Sequence, residues 1–238
     1  MSAELAWDRP SLPTLTLDDD PESAADRLRT RLDVPARVQL KWPSSAAAFD
    51  EWRRRVESLG VFVFLYPMGR DACRGFSVWE ERAPLVAVNT AWSEEARIFT
   101  LFHELGHLLT RTNSACLESP SRRASRQDAW DSVERWCERF GAAVLLPADE
   151  LRAQFAARQA GQTATVDTVR WLSGRFKTSL SATTIRLIEL RLATWELYDA
   201  LPRAADVKRT GGGGGGRAPW KFARISLEEE RSACSASR

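Results

Sequence analysis

The sequence predicts an α+β fold in which a small antiparallel sheet packs on one long amphipathic helix and further helices follow. Two helix-like segments come first, three short β-rich runs occupy residues 61–89, and helical periodicity dominates from Ser93 onward. Because 44% of the 238 residues are hydrophobic, the chain can bury a core of domain size. These observations together define the expected fold class.

Local signals place the early elements. Residues 21–34 combine an acidic start with a basic end, which suits a helix macrodipole, and residues 44–60 form a second helical segment that stops at a glycine. The strand candidates are VFVFLYP at 61–67, GFSVWEE at 75–81 and PLVAVN at 84–89. Turn-prone residues separate these runs, so we expect them to pair in an antiparallel sheet.

Helices fill the second half of the chain. Ser93 is a candidate N-cap, and an apolar stripe with helical spacing follows it from Ile98 to Leu109. A second stripe runs from Trp130 until Pro147 ends it. The connection between the two stripes is polar and is expected at the surface. Three later segments also have helical periodicity: 148–159, 166–177 and 182–201.

Composition divides the chain into four parts. We expect an irregular lead-in at 1–21, a main domain at 22–147, a helical lobe at 148–205, and a glycine-rich linker with a disordered tail at 206–238. The linker contains six consecutive glycines.

Charge and composition exclude several function classes. The 34 basic and 32 acidic residues nearly cancel, so no overall field favours nucleic acid or an anionic membrane. The first residues lack a signal-peptide pattern, and the longest apolar run has eight residues, well below the ~20 that a membrane span needs. The four cysteines form no CxxC pair. A cytoplasmic protein with free thiols is expected.

Both histidines of the chain lie in the stretch TLFHELGHLLTRT at residues 100–112. His103 and His107 are four residues apart, and Glu104 follows the first, which makes an HExxH motif on a predicted helix. Chance would place two histidines and a glutamate in this pattern on the order of once in a thousand chains. The imidazoles project away from the apolar stripe. A zinc site therefore explains them better than two core histidines do.

A catalytic zinc site takes three protein ligands and leaves one position for water. Since the chain has no third histidine, the third ligand must be a carboxylate or a thiolate. Cys116 is the thiolate candidate, and Glu134 is the preferred carboxylate because it borders the stripe that packs toward the histidine helix. Glu138, on the same face, is either a hydrogen-bond partner of a zinc-bound imidazole or a solvated surface carboxylate.

Two stretches resemble one protein family. PLVAVNTAWSEEARIFTLFHELGHLL at 84–109 and ERWCERFGAAVLLP at 134–147 are similar to the paired motifs of the ImmA/IrrE zinc metallopeptidases. The resemblance covers roughly residues 22–200. Cys137 and Glu138 stand where the family usually has alanine and asparagine, a departure that leaves the metal ligands intact.

The resemblance implies a zincin-like peptidase domain in the main part of the chain. It places one zinc ion per chain on His103, His107 and Glu134, and it makes Glu104 the catalytic residue that accepts a proton from the attacking water. PLVAVN would be either an edge strand that receives an extended substrate or a fully paired interior strand.

The resemblance also implies a protein partner. Members of the family are known for making one cut in a helix-turn-helix transcriptional repressor, which turns on genes of a stress response or a mobile element. We expect a similar repressor, encoded nearby, as the substrate. Many relatives carry an added DNA-binding module, for which this chain leaves no room, so a free-standing peptidase is expected.

A rival hypothesis is a non-catalytic regulator that keeps zinc for stability and binds a repressor or DNA. Residues 168–190 could form two helices around a short turn, with several basic side chains, in imitation of a helix-turn-helix. The near-neutral overall charge argues against direct DNA binding. The intact Glu104 favours the enzyme, because a purely structural zinc site needs no general base.

Overall fold

The computed structural model describes residues 10, 12–112, 124–158 and 163–201, and for 124–131 only the helical backbone. Within these ranges the chain forms three strands and nine helices. In order they are α1 (Pro21–Arg31), α2 (Ala36–Gln39), α3 (Ser45–Glu57), β1 (Phe62–Tyr66), β2 (Gly75–Val78), β3 (Leu85–Asn89), α4 (Glu94–Leu109), α5 (Ala124–Leu145), α6 (Ala148–Arg158), α7 (Val166–Phe176), α8 (Leu180–Glu189) and α9 (Trp195–Asp199).

This arrangement confirms the α+β class, with a small sheet on the histidine helix and a helical lobe after it. The division into four parts stays a prediction, and the segment 206–238 lies outside the described residues.

The sheet is mixed, so the expectation of a wholly antiparallel sheet was wrong. The strand order is β1-β3-β2. β1 runs parallel to β3, with Phe62 opposite Leu85, and β2 runs antiparallel to β3, with Val78 opposite Leu85. Strand β3, the PLVAVN segment, is therefore the paired interior strand and not an edge open to substrate. Strands of four or five residues have the same side-chain alternation in parallel and antiparallel pairs, so the sequence pattern could not distinguish the two orientations.

Asn89 closes strand β3 and organises the turns beside it. The side chain is fully buried and satisfies all its polar atoms. Its amide nitrogen donates to the carbonyls of Gly69 at 2.6 Å and Cys73 at 2.9 Å, and its oxygen accepts from the N–H groups of Met68 and Ala91 at 3.2 and 3.0 Å. These four bonds hold the start of the β1–β2 connection against the end of β3, immediately before α4 begins.

Helix α4 is the centre of the domain. Ser93 caps it as predicted, accepting from the N–H of Ala96 at 3.4 Å. Helix α4 packs against α3, against strands β2 and β3, and against α5. Phe102 meets Trp52 of α3 edge to face, with 4.8 Å between ring centroids. Because α4 is covered on both sides, most of its residues are buried, including charged Glu104.

The C-terminal end of α5 is held by side chains from three distant parts of the chain. The last carbonyls of a helix have no partner within the helix, and here residues 144–146 all find one. The carbonyl of Val144 accepts from Arg29 at 2.6 Å, that of Leu145 from Gln39 at 2.9 Å and that of Leu146 from Arg186 at 3.1 Å. Gln39 also donates to the carbonyl of Phe176 at 3.0 Å. Helix α5 is thereby fixed to α1, α2, α7 and α8.

The predicted helix at 182–201 is in fact two helices, α8 and α9. The chain turns at Arg191, whose φ of 61° is left-handed, and the N–H of Leu192 donates back to the carbonyl of Leu187 at 2.7 Å. Such a turn usually uses glycine, and none is present, so no stop signal marks this position in the sequence. The carbonyl of Leu192 then accepts from Ala164, which joins this turn to the start of the α7 segment.

In the parts of the chain that the structure describes, no helix is long and apolar enough to span a membrane.

We predict that Gly75→Ala destabilises the domain, because β2 lies directly against α4. An added Cβ would lie 2.5 Å from Thr100 Cγ2 and 2.6 Å from the carbonyl oxygen of Ala87, and the second of these atoms belongs to the backbone of β3. Overpacking of this kind costs about 1–3 kcal/mol of unfolding free energy. Chemical denaturation of the metal-free protein measures the change.

The matched control is Gly174→Ala, in helix α7. An added Cβ there meets no atom within 4 Å, so the variant should be neutral or more stable by up to about 1 kcal/mol. Equal stability of the two variants would show that β2 does not pack on α4 as closely as described.

Candidate metal centre

Three side chains from two helices converge beside the sheet. His103 and His107 come from successive turns of α4, and Glu134 comes from α5. Glu134 Oε2 lies 3.2 Å from His103 Nε2, and Glu134 Oε1 lies 3.2 Å from His107 Nε2. The two Nε2 atoms are also 3.2 Å apart. Among the described residues, this is the group of histidine, cysteine and acidic side chains arranged to hold a metal ion.

The spacing of these atoms fits a metal. Bonds of about 2.0–2.1 Å from a tetrahedral ion to nitrogen and oxygen put neighbouring ligand atoms about 3.3–3.4 Å apart. The two imidazole nitrogens are separated by nearly this distance, and each lies equally close to one of the two carboxylate oxygens of Glu134. Two imidazoles with one carboxylate are a donor set of catalytic zinc. The residues present therefore fit the group that the motif implies.

The site is buried on one side and reaches the surface on the other. The His107 side chain has no exposed area, whereas the side chains of His103 and Glu134 each keep 16%. His107 Nδ1, which points away from the ligand atoms, lies 3.0 Å from the hydroxyl of Thr112. Within the described part of the chain, the accessible side of the ligand group is therefore the side of His103 and Glu134.

Without a metal, the ligands bind each other through a proton. Burial disfavours the charged forms of His103 and Glu134, but the hydrogen bonds and opposite charges between them outweigh this effect. Burial lowers the pKa of His103, and the hydrogen bond to Glu134, with the charge of Glu104 added, raises it to about 9. Burial raises the pKa of Glu134, and the hydrogen bonds to both histidines lower it to about 2. In the metal-free site His103 and Glu134 therefore favour a protonated imidazole paired with an ionised carboxylate.

Glu104 lies beside this site without joining the ligand group. Its carboxylate is buried, and Oε2 accepts a hydrogen bond from the hydroxyl of Ser77 at 2.9 Å. Ser77 is on β2, and Gly75 of the same strand also lies beside the glutamate, since an added Cβ there would be 3.6 Å from Glu104 Cγ, an ordinary contact distance. The sequence did not single out Ser77, because a serine in a short strand has no motif of its own.

Glu138 is buried next to the same cluster. Burial raises its pKa to about 8, with the charge of His103 acting in the opposite direction. Among the described residues, neither Glu138 Oε2 nor His103 Nδ1 has a hydrogen-bond partner. The two groups are close enough to interact electrostatically, but the structure contains no hydrogen bond between them. The alternative of a solvated surface carboxylate is excluded by the burial of Glu138.

Among the described residues, no cysteine joins the ligand group. Cys116 lies outside the described residues. Cys137 packs against α4 at Gly106, where an added Cβ would lie 3.1 Å from Cys137 Sγ. Burial, reinforced by the surrounding carboxylates, raises the pKa of the Cys137 thiol well above its usual value, so this sulfur stays protonated. A protonated thiol is a poor metal ligand.

A helix-borne HExxH motif, with a glutamate supplied by the following helix in an α+β domain, is the ligand arrangement of a metallopeptidase. The family model of peptidase M78, described as the IrrE N-terminal-like domain, matches residues 56–187, more than half of the chain. The chain belongs to this family of metallopeptidases, which confirms the resemblance read from the sequence. No curated protein matches the chain.

We predict that Glu134→Ala weakens metal binding by more than about 100-fold, since loss of an outer hydrogen-bond partner alone typically costs 10–100-fold. Competition with a chromophoric chelator measures the affinity. Glu150→Ala, which removes a carboxylate bonded only to Gln154 in the same helix, is the control and should bind as the parent does. A Glu134→Ala protein with parental affinity would remove Glu134 from the ligand set.

Proposed function

We propose that this protein is a zinc-dependent endopeptidase that makes a site-specific cut in a protein partner. The observation that carries the proposal is the cluster of His103, His107 and Glu134, with the buried side chain of Glu104 beside it. Membership of a peptidase family supports the reaction class. The finer statements on metal, mechanism and substrate are part of the proposal.

Zinc is the proposed metal, with one ion per chain on His103, His107 and Glu134. Two imidazole nitrogens and one carboxylate suit zinc better than the harder cations, which prefer oxygen ligands alone. When bound, zinc acts as a Lewis acid that polarises a carbonyl and lowers the pKa of a coordinated water toward about 7.

Glu104 is the proposed general base. It accepts a proton from the water that attacks the peptide carbonyl and delivers that proton to the leaving amine. Its burial and the hydrogen bond from Ser77 hold the carboxylate in one place, so it does not need to be ordered during the reaction. Ser77 is therefore a proposed positioning residue for Glu104.

Glu138 is proposed to orient His103. Buried polar atoms without a partner are costly, and His103 Nδ1 and Glu138 Oε2 are both in that condition. A hydrogen bond between them would satisfy both atoms and fix the plane of the His103 imidazole. Such partners of ligating histidines are a regular part of zinc sites.

The proposed substrate is a helix-turn-helix transcriptional repressor encoded near this protein, and its cleavage would derepress stress-response or mobile-element genes. The support is the family resemblance. We place the reaction in the cytoplasm, where such a repressor acts. Selectivity is expected from docking of the folded partner, because the interior position of β3 removes the predicted route for binding any extended chain by strand addition.

The rival function, a zinc-stabilised module that binds a repressor or DNA, has less support. Helix α8 would have to be the recognition helix, yet most of it is buried. Arg186, one of the basic residues that suggested DNA binding, is itself buried and forms two 2.6 Å hydrogen bonds with Glu22. It also caps α5, so it is not available to bind a phosphate.

Glu104→Gln separates the two functions. The variant keeps the shape of the side chain but loses the proton acceptor, so cleavage of the cognate repressor should fall by about 10²–10⁴-fold, while zinc content and repressor affinity are unchanged. The purified protein is mixed with zinc and the neighbouring repressor, and fragments are followed with time by gel electrophoresis and mass spectrometry.

The control is Glu94→Gln, the same change on a half-exposed residue in the first turn of the same helix, which should cleave as the parent does. If Glu104→Gln relieves repression as well as the parent, with the repressor intact in both mixtures, the protein is a binding module and the protease proposal is wrong.

A further inference from the structure

A chain of hydroxyl groups begins at the side of His107 that faces away from the ligand atoms. His107 Nδ1 lies 3.0 Å from Thr112 Oγ1, and Thr112 Oγ1 lies 2.9 Å from Thr110 Oγ1. Thr110 Oγ1 in turn lies 3.0 Å from the carbonyl oxygen of Gly106 and 3.2 Å from that of His107. The chain thus connects a metal-ligand imidazole to the backbone of its own helix.

This network is fully satisfied in one direction, which runs from Nδ1–H of His107 through the two hydroxyls to the backbone carbonyls. A carbonyl oxygen can only accept, so the Thr110 hydroxyl donates to the backbone. Thr110 Oγ1 is then free to accept the proton of the Thr112 hydroxyl. Because that proton is used, Thr112 Oγ1 turns a lone pair toward His107 and accepts from Nδ1–H. The alternative target of the Thr112 proton, the His107 carbonyl at 3.5 Å, is at the limit of hydrogen bonding and leaves the same lone pair free.

We infer that Thr112 is a positioning residue of the metal centre, which holds the proton of His107 on Nδ1 and so leaves the Nε2 lone pair free for the metal. A neutral imidazole carries its proton on one nitrogen and offers the other as ligand, and the partner of the first nitrogen decides which is which. Thr112 performs for His107 the task proposed for Glu138 at His103. The two histidines therefore have partners of different chemistry.

The backbone brings Thr112 to this position through a left-handed residue. Arg111 has a φ of 56°, which reverses the chain after α4, and the N–H of Thr112 then donates to the carbonyl of His107 at 2.9 Å. The Arg111 guanidinium stacks on Trp79, with its Cζ 3.4 Å from the ring centroid, and donates to the carbonyl of Leu12 at 3.2 Å. A non-glycine left-handed residue costs free energy, and these contacts offset that cost.

This inference rests on the metal site of the proposed function and not on its peptidase activity. Its test therefore measures metal affinity. The probe is Zn²⁺ alone, titrated into the metal-free full-length protein in competition with a chromophoric chelator. The unfolding free energy of each metal-free variant is measured in parallel, so that a loss of fold is not mistaken for a loss of affinity.

Thr112→Val keeps the β-branched shape and removes the hydroxyl, and it should weaken zinc binding by about 10–100-fold. Thr112→Ser keeps the hydroxyl and should bind within about threefold of the parent, which is well below the effect of losing the outer partner. Should Thr112→Val not fold, Thr112→Ala takes its place with the same expected loss of affinity.

The matched control is Thr184→Val. Thr184 is fully buried and its hydroxyl donates to the carbonyl of Leu180 at 2.9 Å in α8, so the same chemical change is made away from the metal. It should bind zinc as the parent does.

Two results would overturn the inference: parental zinc affinity in a folded Thr112→Val protein, or an equal loss in Thr112→Ser and Thr112→Val. Failure of the parent itself to bind zinc would instead contradict the proposed function. The two failures are therefore distinguishable.

Discussion

The close approach of helices α4 and α5 is the constraint on which the site depends. Each helix contributes a glycine to the contact: an added Cβ on Gly106 would lie 3.1 Å from Cys137 Sγ, and one on Gly141 would lie 3.4 Å from the backbone nitrogen of His103. With no side chain at these points, the backbones come near enough for Glu134 to reach both histidines at 3.2 Å. A wider spacing would leave a pair of histidines and a separate carboxylate instead of a ligand group.

The position of α5 is fixed at its C-terminal end, about three turns beyond Glu134. Residues far from the metal ligands therefore help to place Glu134. Three buried donors, Arg29, Gln39 and Arg186, hold the last two carbonyls of the helix and the carbonyl of the residue that follows it. Each buried carbonyl left without a partner would cost about 1–3 kcal/mol, so the three bonds together strongly favour one placement of the helix. The helical lobe is thus part of the framework of the metal site. Helix α8 supplies the donor Arg186, and the carbonyl of Phe176 at the end of α7 accepts a second hydrogen bond from Gln39.

The sequence predicted the ligand residues but not their supporting contacts. HExxH and the downstream stripe are periodic patterns, and periodicity places side chains on a helix face, so His103, His107 and Glu134 could be found without coordinates. Ser77 and Thr112 could not. Ser77 reaches Glu104 only because of how β2 packs, and Thr112 reaches His107 only because Arg111 is left-handed. Sheet direction and the break after α8 were missed for a similar reason: both depend on tertiary contacts that leave no local signal.

X-ray absorption at the zinc edge tests the central claim most directly, because it reports the atoms around the metal in the intact protein. With one equivalent of zinc bound, we expect a shell of nitrogen and oxygen atoms at about 2.0–2.1 Å, which includes two imidazoles. A sulfur atom at about 2.3 Å would contradict the ligand set of His103, His107 and Glu134, because it would place a cysteine on the metal.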